Sequence, residues 1–436
     1  MNVPRVSPAR VCAYAVVRRV FEQGAYADRA FHAEARGLDA RERSFAMALA
    51  YGTVQRRDTL DHVAARLLDR PPAKLEPPVL AALRLGLMQL LLLGGVAPHA
   101  AVHESVELVK RDARSAGGLV NAVLRRAVRD GPGIIATLDD ETPERAAVLH
   151  SVPRWLAELW WRELGGDGAR ALLACVNRPA EAAVRVNTLI ATVDEVRSRL
   201  EVPCHPAPGC PDGLVLDAPL DVYSSELWLR GAIMPQSRAS MAAARTLAPL
   251  PGERVLDLCA APGAKTTALA ALMGDRGRLV AVERHAGRAQ ALRATLQRMR
   301  VSCAAVEVTD AVRLGDPAAG SHAADAATYD RVLVDPPCSG LGTLQSRPDL
   351  RWRVTPVQIE QLAAQQVLIL RAGAAAVRRG GTLVYSACTI SRAECDDVVE
   401  RFLDENRAFR SVGPYLRLDP ARDGTDGFFI ARLARH

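Results

Sequence analysis

The chain has 436 residues, 49% of them hydrophobic and 24% charged, with a formal net charge of +7. This balance belongs to a globular protein with room for two or three domains and excludes a disordered or fibrous chain. No run approaches the ~20 apolar residues that cross a bilayer, so no membrane association is expected.

The opening "MNVPRVSPARVCAY" lacks the uninterrupted apolar core of a signal peptide. Nine cysteines without paired spacing fit a reducing compartment. The cytoplasm is therefore the expected location.

Residues 1–140 read as an all-helical domain. Apolar positions recur at helical spacing in "ARVCAYAVVRRVFEQG", "RERSFAMALAYGTVQRRDTLDHVAARLL", "PPVLAALRLGLMQLLLL", "HAAVHESVELVKR" and "AGGLVNAVLRRAV". Breakers stand between them at Gly37, Pro71-Pro72, Pro77-Pro78 and Gly94-Gly95. "LGLMQLLLLGGV" is too short to span a membrane and reads as a buried helix. "DGPGII", from Asp130, breaks the pattern and is expected to open a linker. This region carries 20 Lys and Arg against 15 Asp and Glu. Such a bias suits nucleic acid, because neutralising phosphates supplies most of that affinity.

Residues 145–230 mix helical stretches ("PRWLAELWWREL", "GARALLACV") with short strands ("AAVRVNTL", "GLVLD"), which predicts a small α/β subdomain. Cys204 and Cys210 flank His205 in a loop there, but the two further ligands of a zinc site are missing. No metal is expected. Residues 231–436 alternate apolar strands with helices: "RVLDLCA", "RLVAVE", "AAVEVTD", "YDRVLVD" and "GTLVYSACT" supply the strands. That alternation predicts a Rossmann-like α/β domain with a parallel sheet covered by helices on both faces.

"VLDLCAAPGAKTTALAALM" is a strand, a tight loop and a helix, but its spacing is neither G-x-x-x-x-G-K-[ST] nor G-x-G-x-x-G. The loop from Cys259 to Lys265 faces the crevice beyond the strand ends. Glu283 closes the second strand, where an acid can accept hydrogen bonds from ribose hydroxyls, and Asp310 closes the third. Alone, Glu283 would read as a solvated strand-end acid. Together these residues fit an adenosine cofactor without a pyrophosphate, and S-adenosylmethionine suits better than a dinucleotide.

The fourth strand ends in Asp335-Pro336-Pro337-Cys338 and the fifth in Ser386-Ala387-Cys388-Thr389. A free cysteine is usually a small buried hydrophobe, which suits Cys12, Cys175 and Cys303. Two thiols at adjacent strand ends suggest chemistry instead. Carbon 5 of a pyrimidine is a poor nucleophile until a thiolate adds to carbon 6. The developing charge then needs a partner at ring nitrogen 3, a role for Asp335. A second group must help break the adduct down. "DPPC" also resembles the Asp-Pro-Pro-aromatic motif of amino-group methyltransferases, but Cys338 stands where the stacking aromatic would be. Pattern alone leaves open which thiol attacks.

With these residues in view, the chain resembles the RsmB (Fmu/Sun) family of RNA cytosine-5 methyltransferases over nearly its whole length. Residues 1–130 are similar to the NusB-like RNA-binding domain of bacterial members. "AAVRVNTL", "AIMPQSRAS", "LDLCAAPGAKTT", "YDRVLVDPPCSGLGTLQSRPDLRW", "GGTLVYSACTI" and "DGFFIARL" match family signatures in order and spacing.

The resemblance implies a cofactor site at Cys259, Ala260, Ala261, Pro262, Gly263, Ala264 and Lys265 with Glu283, Asp310 and Asp335. It implies Cys388 as nucleophile and Cys338 as the thiol that assists adduct breakdown. Lys265 is expected on the cofactor carboxylate or an RNA phosphate, and Arg288 matches a further family position. The implied activity is formation of 5-methylcytosine in small-subunit ribosomal RNA by a monomer. The alternatives are tRNA as substrate or a non-catalytic ribosome assembly factor. Four positions depart from the family: Ala264 replaces a glycine, "DPPC" replaces "DAPC", Ser237 replaces an acid, and Arg351 replaces a lysine.

Overall fold

A computed structural model describes residues 6–314 and 328–436. The first five residues of the opening segment lie outside the described residues. The chain forms two compact units. One comprises residues 1–179 with 344–353, and the other residues 180–343 with 354–436.

The first unit is helical. Its core gathers the apolar stripes of helices Pro8–Glu22, Ala40–Gln55, Arg57–Leu67, Pro77–Leu91, Pro98–Val109 and Gly117–Ala136. Three of these start with proline in the first turn, where its missing N–H costs nothing. Of the apolar run from Leu85, residues Leu85 to Gln89 are buried inside Pro77–Leu91, while Leu90 to Leu93 are half-buried and the helix ends at Leu91. Among the described residues no helix is long and apolar enough to cross a membrane.

The expected linker at Asp130 is corrected: the helix runs on from Gly117 through Pro132 to Ala136. Its buried stripe of Val120, Val123, Leu124, Ala127 and Gly131 keeps helical spacing past the proline. Gly131 lies so close to Leu91 that an added Cβ would meet its side chain at 2.7 Å. The two helical stretches around Trp155 and Ala169 lie within Arg154–Cys175 on either side of Gly165, whose backbone is non-helical with φ 72°.

Residues Leu344–Arg353 belong to this unit although their sequence neighbours belong to the other. Arg351 is fully buried and donates to the carbonyls of Gln55, Ser151, Val176 and Leu344 and to Asn177 Oδ1. Burial pushes its guanidinium down to about 9. Trp352 donates its indole N–H to Val54 O (2.7 Å), with the Arg57 guanidinium 3.6 Å from the ring centroid. The departure from the family lysine is thus a planar five-donor group among neutral acceptors, a geometry lysine's ammonium does not match.

The second unit holds two sheets. The smaller has β1 (Ala183–Val186), β2 (Cys204–Pro206), β3 (Gly213–Leu216) and β4 (Ile233–Pro235) in the order β2-β3-β1-β4, all antiparallel. The larger has β5 (Arg254–Leu258), β6 (Arg278–Val282), β7 (Ala304–Glu307), β8 (Tyr329–Val334), β9 (Val377–Ala387), β10 (Phe409–Ser411), β11 (Leu416–Leu418) and β12 (Phe428–Arg435). Its order is β10-β12-β9-β8-β5-β6-β7, with β11 paired to β12.

Strands β5 to β9 pair in parallel, and β12 pairs antiparallel with β9, β10 and β11. The sheet is therefore mixed rather than wholly parallel. The last residues return without a crossover helix between β11 and β12 long enough for parallel pairing, since only Pro420–Asp423 intervenes. The chain order β6 then β8 on either side of β5 makes β5 the switch point of the sheet.

Candidate active site

The parallel strands deliver the sequence-predicted residues to one edge. Cys259 follows β5, Glu283 follows β6, Asp310 lies just past β7, Asp335 follows β8 and Cys388 follows β9. Ligands bind beyond this edge at the switch point.

The loop after β5 turns sharply. Cys259 has φ 64° and Gly263 φ 107°, and the Ala261–Pro262 peptide is cis. Gly263 is required twice over: it caps the helix Ala264–Leu272 in a left-handed conformation, and a Cβ there would meet Leu292 at 2.8 Å. Ala264 is the first helical residue and is not among the positive-φ positions. The replacement of the family glycine by Ala264 therefore carries no left-handed strain, because the left-handed residue is the neighbouring Gly263.

Behind the loop, Arg185 of β1 is buried and donates to Gln236 Oε1 (2.8 Å) and Thr267 Oγ1 (2.7 Å). The "VRVN" and "MPQS" signatures thereby brace the helix of the loop. Ser237 accepts from Ser240 N at the start of helix Arg238–Leu247, so its hydroxyl does the capping that an acid would do.

Beside the loop an open cleft is lined by Cys259, Glu283, Asp310, Ala311, Pro337 and Ile369, among others. Glu283 is nearly buried; its carboxylate accepts from His285 N (2.9 Å) and pairs with Arg288 at 3.4 Å. Arg288 also donates to Ala261 O in the loop (2.8 Å). Asp310 accepts from Val312 N (3.0 Å). Acceptor carboxylates between the apolar faces of Ala311 and Ile369 suit a nucleoside with free ribose hydroxyls. The residues present therefore fit S-adenosylmethionine. Burial pushes the Cys259 thiol up to about 12, aided by Asp335, Asp257 and Glu283, so it is an inert wall of the cleft.

Pro337 leads from the cleft to Cys338. The Cys338 and Cys388 sulfurs are 3.2 Å apart, and both residues are half-buried. The hydrogen bond to Cys388, then burial, then the charges of Cys388, Glu394 and Asp335 hold the Cys338 thiol well above its ordinary value. Either sulfur can be the donor in this contact.

Asp335 accepts from Ser386 Oγ on one oxygen (2.7 Å) and from Lys265 Nζ on the other (2.7 Å). Burial opposes the Lys265 ammonium, but Asp335 and the Cys388 sulfur outweigh it and its affinity for the proton is raised. Lys265 is therefore tied to Asp335. Its early position in the helix aims it at the end of β8 rather than outward.

Sequence reasoning missed Ser386, Asp257 and Glu394. Ser386 and Cys388 are two residues apart, as are Asp257 and Cys259, so strand periodicity was an available signal. Asp257 is buried beneath the loop; Thr266 donates to one oxygen (2.6 Å), and the other has no hydrogen-bond partner among the described residues. Burial raises it to about 7, against the Thr266 hydrogen bond. Glu394, six residues after Cys388, had no such signal in "SRAECDDVV".

A switch-point cleft of this kind, lined by strand-end acids, fits the class of S-adenosylmethionine-dependent methyltransferases. The family model described as 16S rRNA methyltransferase RsmB/F matches residues 244–434. The NusB family model matches 7–129, and a ferredoxin-like domain of RsmF/B-like methyltransferases matches 152–223. The ribosomal RNA small subunit methyltransferase B of Thermus thermophilus is 35% identical over 91% of this chain and 89% of its own. That of Pseudomonas syringae is 31% identical over 91% and 90%. The crystal structure of PH0851 superposes with a TM-score of 0.84 at 27% identity over 99% of both chains. The chain belongs to the RsmB/F family of 16S rRNA methyltransferases and is an S-adenosylmethionine-dependent RNA methyltransferase.

Proposed function

We propose that this enzyme forms 5-methylcytosine in small-subunit ribosomal RNA through a covalent cysteine adduct. The observation that supports this reading is the pair of sulfurs 3.2 Å apart beside the cleft. A methyltransferase acting on an amino group has no use for two thiols there. Cys259 to Lys265, Glu283, Asp310 and Asp335 would hold the cofactor, which would supply an electrophilic methyl from a sulfonium and leave as a neutral thioether.

The Cys388 thiolate bonds to carbon 6, and the π electrons move toward ring nitrogen 3, which takes up a proton from solvent. The Asp335 carboxylate, anchored by Lys265 and Ser386, accepts the resulting N–H and stabilises the charge. Carbon 5 is now nucleophilic and takes the methyl. The Cys338 thiol then gives its proton to the Cys388 sulfur as the carbon–sulfur bond breaks and recovers one from carbon 5. The electrons of that C–H bond restore the ring double bond, and nitrogen 3 releases its proton. The high proton affinity of Cys338 suits a group that starts each cycle protonated.

The helical residues 1–140 and the subdomain at 145–230 grip the RNA backbone and present an unstacked cytosine to residues 231–436. The same reading has one chain as the working unit and the cytoplasm as its location.

Methyl transfer to unmodified ribosomal RNA and tRNA, with wild type, Cys388→Ala and Cys338→Ala side by side, tests the thiol roles. Wild type is expected to label ribosomal RNA. Cys388→Ala is expected to lose turnover by at least 10³-fold, on the order of a lost nucleophile, and Cys338→Ala to trap a protein–RNA adduct. Turnover by Cys388→Ala without an adduct in Cys338→Ala would reverse the assignment.

A further inference from the structure

The two thiols sit on different loops, and something must hold those loops at sulfur–sulfur contact. Cys338 follows β8 and Cys388 follows β9. Between them lies Glu394, at the end of the short turn Arg392–Glu394, with no exposed surface.

One oxygen of its carboxylate accepts from Ser339 N (2.8 Å) and Gln366 Nε2 (3.0 Å). The other accepts from Ser339 Oγ and lies 3.3 Å from Thr389 Oγ1. Ser339 is the residue after Cys338, and Thr389 is the residue after Cys388. Their hydroxyls are 2.9 Å apart, so Thr389 can donate to Ser339 while Ser339 donates to Glu394. Gln366 adds a hydrogen bond to Pro337 O (2.9 Å), on the other side of Cys338. Tyr385 donates to the Glu394 carbonyl (2.6 Å), fixing the turn to β9.

Ser339, Gln366, Tyr385 and Thr389 are themselves buried, so water does not compete for these bonds. A carboxylate is the side chain that can accept on both oxygens at once.

We propose that Glu394 is a positioning residue: its carboxylate clamps Ser339, through its N–H and hydroxyl, to the Thr389 hydroxyl and so sets the distance between Cys338 and Cys388. Its charge also contributes to keeping Cys338 protonated. The adduct step deepens the two-thiol reading and rests on it; the clamp itself does not.

The test uses the full chain with its two thiols as a ruler. Diamide, a two-electron thiol oxidant, joins the pair when the sulfurs reach bonding distance, and the Cys338–Cys388 peptide is followed by non-reducing mass spectrometry. Wild type is expected to close fast and Glu394→Ala at least tenfold more slowly. Glu394→Gln keeps an acceptor for the two N–H donors and is expected within about threefold of wild type. In methyl transfer, Glu394→Ala is expected to accumulate the RNA adduct that Cys338→Ala gives, although both thiols are present.

Equal closure rates in wild type and Glu394→Ala overturn the clamp. If Glu394→Ala does not fold, Ser339→Ala decides, with about threefold slower closure expected and an unchanged rate overturning the proposal. Slow closure in Glu394→Ala with no adduct in Cys338→Ala keeps the clamp and removes the covalent cycle.

Discussion

Asp257 shows how much of the site's chemistry sits one layer below the surface of the cleft. Its carboxyl titrates near 3.8 in an unfolded chain and near 7 in the fold, with burial as the main cause. Between those pH values only the unfolded chain gives up the proton, so stability falls as pH rises through the window. Above about 7 both states are ionised and the loss stops. Asp257→Asn keeps the acceptor for Thr266 and removes the titration. Urea midpoints at pH 5.5 and 8.5 are therefore expected to show wild type losing about 2 kcal/mol more than the variant. Parallel pH profiles for the two proteins would contradict this.

At this scale the sequence exposes what lies at strand ends. Asp335, Cys338 and Cys388 follow apolar runs and are read directly from them. Glu394 cannot be found that way, because its partners Ser339 and Gln366 are 55 and 28 residues distant in the chain. An acid beside "CDDVV" looks like any helix-start acid.

Among the elements, the turn after Cys338 does more than connect. Gly342 N–H donates to Cys388 O (3.2 Å), and Gly427 N–H donates to Gly342 O (2.8 Å). Three of the sequence signatures, "CSGLGTL", "YSACT" and "DGFF", thus meet through backbone alone. A Cβ on Gly342 would lie 1.9 Å from Gly427 O, and backbone does not yield as a side chain does. Gly342→Ala is expected to destabilise the fold by about 2 kcal/mol and to cut methyl transfer at least tenfold. Urea unfolding and initial rates on ribosomal RNA measure both, and wild-type values for both would refute the contact's importance.

The strands and helices themselves are legible because periodicity reports which face is buried. The helix through Pro132 is less so, since one proline and two glycines outweigh a buried stripe when the packing partner, Leu91, is unknown. The antiparallel return of β12 is hidden for a similar reason: "DGFFIARL" states a strand but not its neighbour.

For the whole molecule, the division of the chain is the least legible feature. Residues 344–353 leave one unit for the other, held by Arg351 and Trp352. The sequence shows an ordinary charged stretch there, and a buried guanidinium bound only to neutral acceptors has no pattern of its own. The fold class, in contrast, follows from the change of hydrophobic period along the chain, from helical to strand–helix alternation.

The central claim is that the methyl group goes to carbon 5 of a cytosine in ribosomal RNA. The most direct measurement is mass spectrometry of nucleosides from small-subunit ribosomal RNA after incubation with the enzyme and isotopically labelled S-adenosylmethionine. The expected product is labelled 5-methylcytidine, lost with Cys388→Ala. Label in N4-methylcytidine instead, or in no nucleoside at all, would contradict the account.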